Sequence, residues 1–284
     1  MHCTQIRNAT LRLDYGGQRF LIDPMLAERG AFPGFAGTVH SETANPTVAL
    51  PVPVEQLFKV DAVLVTHTHP DHWDEAARTL LPKDLPVFAQ NERDAAEIRE
   101  AGFVDVRVLG ERTDFAGVTL SKTAGRHGSA DVMHRFGAVL GEVCGIVFHH
   151  PQEKTLYLAG DTVWYEEVAA TLEQHRPEVV IVNCGDARLL GDQPIIMNEQ
   201  DLLALAAAAP RALIMASHLE AVNHAALTRA RLRAVLDRDD AQIVFVDTPG
   251  LHKPHDALGE ELNRSALLGL SDVDVACLVI DASA

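Results

Sequence analysis

Four side chains that can bind a metal lie within one short stretch of this chain, in the segment His67, His69, Asp71 and His72. They follow an apolar, β-branched run, Val60 to Val65, which is typical of a buried strand. Extended backbone sends alternate side chains to opposite faces, so His67 and His69 are expected on the same side. Imidazole and carboxylate groups at this density suit zinc or a neighbouring first-row metal. The segment therefore predicts a metal site at the end of a strand.

Three further residues that can bind a metal each follow a later predicted strand: His127, Asp161 and His218. The ends of neighbouring strands converge at one edge of a sheet, so residues distant in sequence can share a site. Taken singly, either histidine could be an ordinary core or surface residue, and Asp161 could cap the helix that follows it. The placement of all three at strand ends favours one common site with the first group.

The elements around these residues predict a mixed architecture of strands and helices. Residues 4–22 are predicted to form a hairpin that turns at Gly16-Gly17. Hydrophobic patterns then predict strands at 87–89, 104–109, 118–123, 143–149, 155–159, 178–182 and 212–215, and helices at 74–80, 92–101, 166–175, 198–209 and 228–236. This order predicts two sheets packed face to face, with helices outside.

Residues 27–55 show neither a helix nor a strand pattern. The segment is rich in proline and glycine and carries Phe32 and Phe35. A long loop of this kind in a compact domain is usually functional or mobile. It is either a lid over the site or a surface excursion, and the sequence alone leaves both interpretations open.

Composition excludes several classes of partner. The 284 residues allow one large domain or two small ones. The formal charge of −16, from 24 basic and 40 acidic residues, argues against a nucleic-acid partner. There is no run of apolar residues long enough for a membrane span and no signal-peptide pattern, so no membrane partner is expected. The four cysteines are scattered, which predicts a reducing, cytoplasmic location without disulfides.

The motifs named above resemble those of a known superfamily. Thr66–His72, Gly125–Gly128, Ala159–Thr162 and Ser217-His218 are similar, in order and spacing, to the successive motifs of the metallo-β-lactamase superfamily. The resemblance covers about residues 4–240 and extends to the metal-dependent hydrolase branch that includes ascorbate-6-phosphate lactonase-like proteins. It implies the metallo-β-lactamase fold, an α+β four-layer αβ/βα sandwich, with a dinuclear site at the edge of the two sheets.

The resemblance also implies a role for each candidate ligand: His67, His69 and His127 for the first ion, Asp71, His72 and His218 for the second, and Asp161 as a bridge. Two divalent ions are implied, with Zn²⁺ favoured and Mn²⁺ or Fe²⁺ as alternatives, because these ligand types accept all three. Two such ions can share a hydroxide, a strong nucleophile at neutral pH. The predicted catalytic residues are Asp161, which holds the ion spacing, and Asp71, which relays a proton to the leaving group.

These features predict a dinuclear metal-dependent hydrolase that uses the bridging hydroxide on a small ester, lactone or phosphoester. The alternative, from another class, is a metal-binding regulatory or binding protein of the same fold without turnover. The expected partner is a small-molecule substrate. A homo-oligomer is compatible with the sequence, which does not fix the oligomeric state.

Five residues beside the ligands are candidate substrate contacts: Trp73, Trp164, Glu220, Asn223 and His224. Aromatic packing is the commoner role of a tryptophan. Glu220, Asn223 and His224 either orient His218 or contact the substrate, or they belong to a polar loop, and the sequence leaves these interpretations open. Cys184 follows the predicted strand 178–182 and is either a thiol ligand or, as its residue type favours, a small buried residue.

The sequence changes character from Ile243 onward. Ile243–Pro254 and Ala257–Asn263 resemble the part of Era-type GTPases that surrounds their Asp-x-x-Gly motif. The phosphate-cradling Gly-x-x-x-x-Gly-Lys-Ser/Thr loop and the base-reading Asn-Lys-x-Asp motif do not occur in the chain. GTP binding is therefore not expected.

The pattern of this tail predicts a βαβ-like unit, with strands at 242–247 and 273–280 and a helix at 256–270. The first strand is apolar enough to close the hydrolase sheet. We therefore predict a metallo-β-lactamase-like hydrolase domain over 1–247 and a C-terminal extension over 248–284 that resembles a truncated Era-type GTPase segment.

Overall fold

The structure is a computed structural model that describes residues 1–191, 193–236 and 277–279. Two sheets form its centre. The first sheet contains β1 (His2–Arg7), β2 (Thr10–Tyr15), β3 (Gln18–Ile22), β4 (Ala62–Val65), β5 (Val87–Ala89), β6 (Val106–Val108) and, beside β1, β13 (Cys277–Val279). The second contains β7 (Thr113–Phe115), β8 (Val118–Ala124), β9 (Cys144–His149), β10 (Leu156–Leu158), β11 (Val179–Asn183) and β12 (Leu213–Ser217).

The strand order places the predicted site. The first sheet runs β13-β1-β2-β3-β4-β5-β6 and the second runs β12-β11-β10-β9-β8-β7. Strands β3, β4, β5 and β6 are parallel, and so are β10, β11 and β12. Parallel neighbours end at the same edge of a sheet, which brings the loops after these strands together.

Helices flank the two sheets: α1 (Glu75–Leu80), α2 (Glu92–Glu100), α3 (Ala130–Leu140), α4 (Glu166–His175), α5 (Glu199–Ala208) and α6 (Arg229–Leu236). The sheets face each other across one apolar cluster, in which Leu13 and Leu64 of the first sheet pack with Leu120 and Ile146 of the second. Two further clusters join the outer faces of the sheets to the helices. This is the four-layer αβ/βα sandwich of the metallo-β-lactamase fold, as predicted.

Strand β4 shows why the central segment is apolar throughout. Leu64 lies in the cluster between the sheets, whereas Val63 and Val65 lie in the outer cluster with Trp73 and Ile98. Both faces of the strand are therefore buried, which is typical of a parallel sheet covered on both sides.

Most of the predicted elements are present with ends shifted by a few residues. The hairpin β2–β3 turns at Gly16 and Gly17, and both glycines have positive φ. Four elements were not predicted: β1, which makes the predicted 4–22 hairpin three-stranded, a 3-10 helix at Val54–Phe58, β7 and the helix α3. The start of α3 is marked by Ser129, whose side chain accepts a hydrogen bond from the backbone N–H of Val132.

The tail is described only in part. The predicted strand 273–280 appears as β13, which pairs in parallel with β1. The predicted strand at 242–247 and helix at 256–270 lie outside the described residues, and the domain boundary at 247 remains a prediction. None of the helices within the described ranges is both long enough and apolar enough to cross a membrane.

One buried side chain, that of Arg7, fixes the 27–55 loop at its start and again at Val48. The guanidinium of Arg7 donates hydrogen bonds to the carbonyl oxygens of Ala27 (2.8 Å) and Val48 (3.1 Å), and to that of Met25. Asp74, which caps α1, accepts a hydrogen bond from the backbone N–H of Ala27 (2.7 Å). Burial lowers the pKa of Arg7 to about 10, so the side chain stays charged at neutral pH.

Candidate metal centre

The seven predicted ligands converge at one edge of the sandwich. They follow the ends of four strands: β4 of the first sheet, and β8, β10 and β12 of the second. Three groups of side chains have ligand atoms within 4.8 Å of one another: His67, His69 and His127; Asp71, His72 and His218; and His67, His72 and Asp161. His67 and His69 lie beyond the end of β4 rather than within it, because the chain bends at Thr66.

One oxygen lies at the centre of the site. Oδ2 of Asp161 is 3.2 Å from Nε2 of His72, and the Nε2 atoms of three other histidines surround it: His218 at 3.7 Å, His127 at 3.9 Å and His67 at 4.0 Å. A single carboxylate oxygen therefore lies between two groups of imidazoles. This is the arrangement expected of a bridging ligand.

Asp71 lies on one side of this centre. Its Oδ2 is 3.1 Å from Nε2 of His218 and 3.8 Å from Nε2 of His72. The side-chain amide of Asn8 donates a hydrogen bond to the backbone carbonyl of Asp71 (3.1 Å) and so fixes the turn that carries it. Asp71, His72 and His218 thus form one three-ligand group.

Asp23, which was not predicted as a site residue, fixes the segment Thr66–His72 through hydrogen bonds to Thr66 and His72. Its Oδ2 lies 2.9 Å from Nδ1 of His72 and also accepts a hydrogen bond from the hydroxyl of Thr66 (2.8 Å). Its Oδ1 accepts the backbone N–H of Thr66 (2.8 Å). A carboxylate on the outer nitrogen fixes the ring of a histidine ligand and leaves the other nitrogen for a metal. Asp23 follows β3, the parallel neighbour of β4, and this position could have indicated it.

Backbone carbonyls fix two of the other rings. Nδ1 of His127 lies 2.8 Å from the carbonyl oxygen of Ile195, so Nε2 points to the centre. Nε2 of His69 lies 3.3 Å from the carbonyl oxygen of Val139 at the end of α3, which leaves Nδ1 for the site. His69 is only half-buried, unlike the other six candidate ligands, so the site opens to solvent beside α3.

Charges within the site balance one another. Burial alone would lower the pKa of His72, but Asp161, Asp23 and Asp71 raise it well above its usual value. The pKa of His218 is raised in the same way, against burial, by Asp161 and Asp71. Burial alone would raise the pKa of Asp161, but His72 and His218 lower it well below its usual range. The carboxylate of Asp161 is therefore anionic at neutral pH.

The imidazoles of His67 and His127 are neutral. Burial, together with His72 and His69, lowers the pKa of His67 well below its usual value. Burial also lowers the pKa of His127 to about 4, against the raising effect of Asp161. Nε2 of His67 is buried and has no hydrogen-bond partner among the described residues. Neutral imidazoles and anionic carboxylates are the forms that bind metals, so the donor set fits divalent metal ions.

Close packing of the backbone of Gly185 against that of His218 fixes the position of this ligand. Its backbone has a positive φ of 60°, which is uncommon for a residue with a side chain. The α-carbon of Gly185 approaches so closely that a β-carbon there would lie 2.1 Å from the carbonyl oxygen of His218. Gly185 is therefore needed for the course of the chain at this ligand.

The predicted substrate contacts lie in different surroundings. Trp73 is fully buried and packs on Phe103 in an outer core cluster, which gives a substrate no access to it. Trp164 packs at the edge of the cluster under α4 and α5. The carboxylate of Glu220 pairs with Arg229, with 2.6 Å between Oε2 and Nε.

Asn223 and His224 lie nearer to the site. The side chain of Asn223 is engaged by the 27–55 loop, and the ring of His224 is 6.5 Å from that of His218, measured between centroids. Cys184 is buried, its Sγ lies 3.4 Å from the carbonyl oxygen of Asn198, and burial raises its pKa. That position suits a small buried residue rather than a ligand.

Comparison with known proteins agrees with this geometry. The sequence model of the beta-lactamase superfamily domain matches residues 18–219. The UPF0173 protein YddR of Bacillus subtilis (strain 168) is 45% identical over 234 residues, which cover 82% of this chain and 91% of that protein.

Two crystal structures resemble the whole fold. An isothiocyanate hydrolase from Delia radicum gut bacteria has 43% identity and a TM-score of 0.82, over 99% of this chain and 97% of that one. A possible metal-dependent hydrolase from Veillonella parvula DSM 2008 has 39% identity and a TM-score of 0.83, over 86% and 97% of the two chains.

The tail matches a different family over a short length. The sequence model of the 50S ribosome-binding GTPase matches residues 211–284. GTPase Era of Crocosphaera subtropica (strain ATCC 51142 / BH68) is 50% identical over 56 residues, which cover 20% of this chain and 18% of that protein. The match thus spans less than a fifth of the GTPase.

Proposed function

The chain belongs to the beta-lactamase superfamily, and we propose that it is a metal-dependent hydrolase with a two-ion site that acts on a small molecule. The observation that carries the proposal is the position of Asp161, whose Oδ2 lies within 4.0 Å of Nε2 of four histidines. One shared carboxylate between two imidazole groups suits two ions better than one.

The proposed ligands are those that the sequence predicted: His67, His69 and His127 for one ion, Asp71, His72 and His218 for the other, and Asp161 for both. Zn²⁺ is the favoured ion, and Mn²⁺ and Fe²⁺ fit the same donor set. Ions bound in such a site supply a strong nucleophile from water at neutral pH and polarise the bond that is broken.

The chain's own residues would orient the reactants and move a proton. Oδ2 of Asp71 is kept anionic by the neighbouring His72 and His218, against the effect of burial, which raises its pKa. It is therefore the proposed acceptor of a proton from the attacking water and its donor to the leaving group. Asn183 and Asp23 hold Asp161 and His72 in place.

Two classes of substrate are proposed. The similarity to an isothiocyanate hydrolase over nearly the whole of both chains supports an isothiocyanate, R–N=C=S. Addition of one water to its central carbon gives a thiocarbamic acid, which splits into the amine R–NH₂ and carbonyl sulfide. The second class is the ester, lactone or phosphoester predicted from the sequence, in which water attacks a carbonyl carbon or a phosphorus atom.

Elemental analysis followed by turnover on a substrate panel tests this proposal. The panel contains an isothiocyanate, a carboxylic ester, a lactone and a phosphodiester, with release of amine, acid or alcohol as the readout. We expect bound metal and turnover in the wild type, and loss of both in His69→Ala. His134→Ala, an exposed histidine of α3, is the matched control and should behave as the wild type does. Bound metal without turnover on every substrate would favour the alternative, a metal-binding protein without catalysis.

A further inference from the structure

The 27–55 loop lies against the segment that follows the ligand His218. Asn223 joins the two: its Oδ1 accepts hydrogen bonds from the backbone N–H of Phe35 (3.1 Å) and from the side-chain amide of Asn45 (2.8 Å). Its Nδ2 donates to the hydroxyl of Thr38 (2.9 Å) and the carbonyl oxygen of Val39 (2.8 Å). The amide of one buried residue thus fixes two separate parts of the loop.

Other contacts fix the loop on either side of Asn223. The backbone N–H of Thr47 donates to the carbonyl of Ala221 (2.9 Å), and its hydroxyl donates to the carbonyl of Glu220 (2.6 Å). The backbone N–H of Leu190 donates to the carbonyl of Gly37 (2.9 Å). The loop is therefore packed against two neighbouring segments, and its position relative to His218 is defined.

In this position, aromatic side chains of the loop lie near His224, which is itself next to the ligand His218. The ring of Phe35 meets that of His224 edge to face, with 5.0 Å between centroids, and Phe32 lies 6.0 Å from Phe35. His224 in turn faces His218 at 6.5 Å. Phe32 and Phe35 are only half-buried, so part of each ring remains accessible.

His224 lies between the phenyl ring of Phe35 and the ligand His218. It is buried, and its Nδ1 has no hydrogen-bond partner among the residues that the structure describes. The ring of His224 thus contacts both Phe35 and the ligand His218.

Two cations next to the loop, Arg7 and Arg188, already have partners. Arg7 donates to backbone carbonyls, and Nε of Arg188 lies 3.0 Å from both oxygens of Asp186. Recognition of a phosphate or a carboxylate usually relies on cationic side chains that point at it. These two guanidinium groups are therefore not free to hold an anion, whereas the half-buried ring of Phe35 offers an apolar contact.

We propose that Phe35 forms the wall of the substrate pocket on the His218 side and contacts an uncharged, apolar organic group of the substrate, and that Asn223 is the residue that positions this wall. The inference rests on the proposed function for the reaction itself, and it adds the class of group that the pocket selects. An aryl or aralkyl group fits the accessible ring, since aromatic pairs favour edge-to-face or offset contacts.

Kinetics on two substrates of different size test the wall. For Phe35→Ala we expect KM for benzyl isothiocyanate to rise about tenfold with kcat within twofold, and KM for methyl isothiocyanate to stay within twofold. Val104→Ala removes an apolar side chain that is 80% exposed outside the loop, and it should change neither KM. Equal changes in KM for the two substrates, or no change for either, would overturn the proposal that Phe35 forms the wall of the pocket.

The positioning role of Asn223 has its own readout. Asn223→Ala should raise KM for benzyl isothiocyanate without changing the metal content. In the double variant with Phe35→Ala the two effects should not add, because both act through the same ring. Additive effects would show that Asn223 does not act through Phe35 and would overturn its role.

Equilibrium binding separates this inference from the proposed function. Calorimetry on the zinc-loaded protein would compare phenylmethanethiol with methanethiol, neither of which requires turnover. We expect the wild type to bind phenylmethanethiol more tightly and Phe35→Ala to lose about tenfold of that preference. Tighter binding of phenylmethanethiol without turnover of any substrate would support the role of Phe35 and contradict the proposed hydrolase function. No preference in the wild type would overturn the wall.

Discussion

The side-chain amide of Asn183 donates a hydrogen bond of 2.6 Å to Oδ1 of Asp161, which leaves Oδ2 to the four histidines around it. Asn183 is itself held, because its Oδ1 accepts a hydrogen bond from the hydroxyl of Ser217 (2.7 Å). These three residues lie at or just beyond the ends of the adjacent parallel strands β10, β11 and β12. The pairing of three strands therefore fixes the orientation of the central carboxylate.

We expect Asn183→Leu to weaken metal binding by about 10–100-fold, because the change removes the donor that orients Asp161 at similar side-chain size. Competition for zinc with a chromophoric chelator would measure the affinity. Ser217→Ala removes only the support of the amide, so its effect should be smaller and in the same direction. Affinity within twofold of the wild type for Asn183→Leu would refute the orienting role.

We expect Asp71→Asn to lower kcat by about 10²–10⁴-fold on the true substrate, since the amide keeps the size but accepts no proton. Folding should be retained, as judged by circular dichroism and thermal unfolding. Asp131→Asn is a control for loss of one carboxylate at an exposed position on α3. A kcat within a few-fold of the wild type would exclude a proton relay at Asp71.

Zinc uptake by the metal-free protein should release protons and should weaken as the pH falls. The pKa values of His72 and His218 are raised above the usual value of 6.5, so below those values the rings carry the proton that the ion must displace. The apparent affinity should therefore rise with pH through this range. Calorimetry at one pH in two buffers of different ionisation enthalpy gives the number of protons released. Equal heats in both buffers would contradict the prediction.

We expect Gly185→Ala to displace His218, because the new β-carbon would lie 2.1 Å from the carbonyl oxygen of that residue. Overpacking of this kind costs about 1–3 kcal/mol of stability, and the metal content should fall. Gly137→Ala is the matched control: it lies in α3, where the nearest atom to a new β-carbon is 3.7 Å away, so metal content should not change. Urea unfolding and elemental analysis would measure both effects, and full metal content in Gly185→Ala would contradict this view.

GTP should not bind to the full chain. The Asp247-x-x-Gly250 motif of the tail has no accompanying phosphate loop or lysine in the sequence, and that loop supplies the backbone N–H groups that hold the phosphates. Calorimetry with GTP and magnesium would measure binding, with an intact Era-type GTPase as the positive control. Saturable binding at micromolar affinity would refute this expectation.

The sequence predicted the fold and the seven clustered side chains because their signals are local. Apolar runs mark the buried strands, and each candidate ligand directly follows the end of a strand. Asp23, Asn183 and Ser217 were not predicted, because their importance depends on which strands are neighbours. That neighbour relation is a property of the sheet order, and no residue pattern within a single strand states it.

The substrate side of the site was the least predictable part. Trp73 and His224 both lie close in sequence to a predicted ligand, yet one is enclosed in the core and the other faces the site. Proximity along the chain does not fix the direction of a side chain after a turn. The helix α3 was missed for a related reason: Val139 is largely exposed, so its apolar residues do not follow a simple buried stripe.

The hydrogen bonds from Arg7 to Ala27 and Val48 make the length of the 27–55 loop independent of the sheet that carries it. The guanidinium holds Ala27 and Val48 together, so the chain between them forms a closed loop. The entropic cost of closing a longer loop grows slowly, by about 0.6 kcal/mol for each doubling of its length. Insertions and deletions between those ends can therefore accumulate without disturbing β3, β4 or the histidine segment.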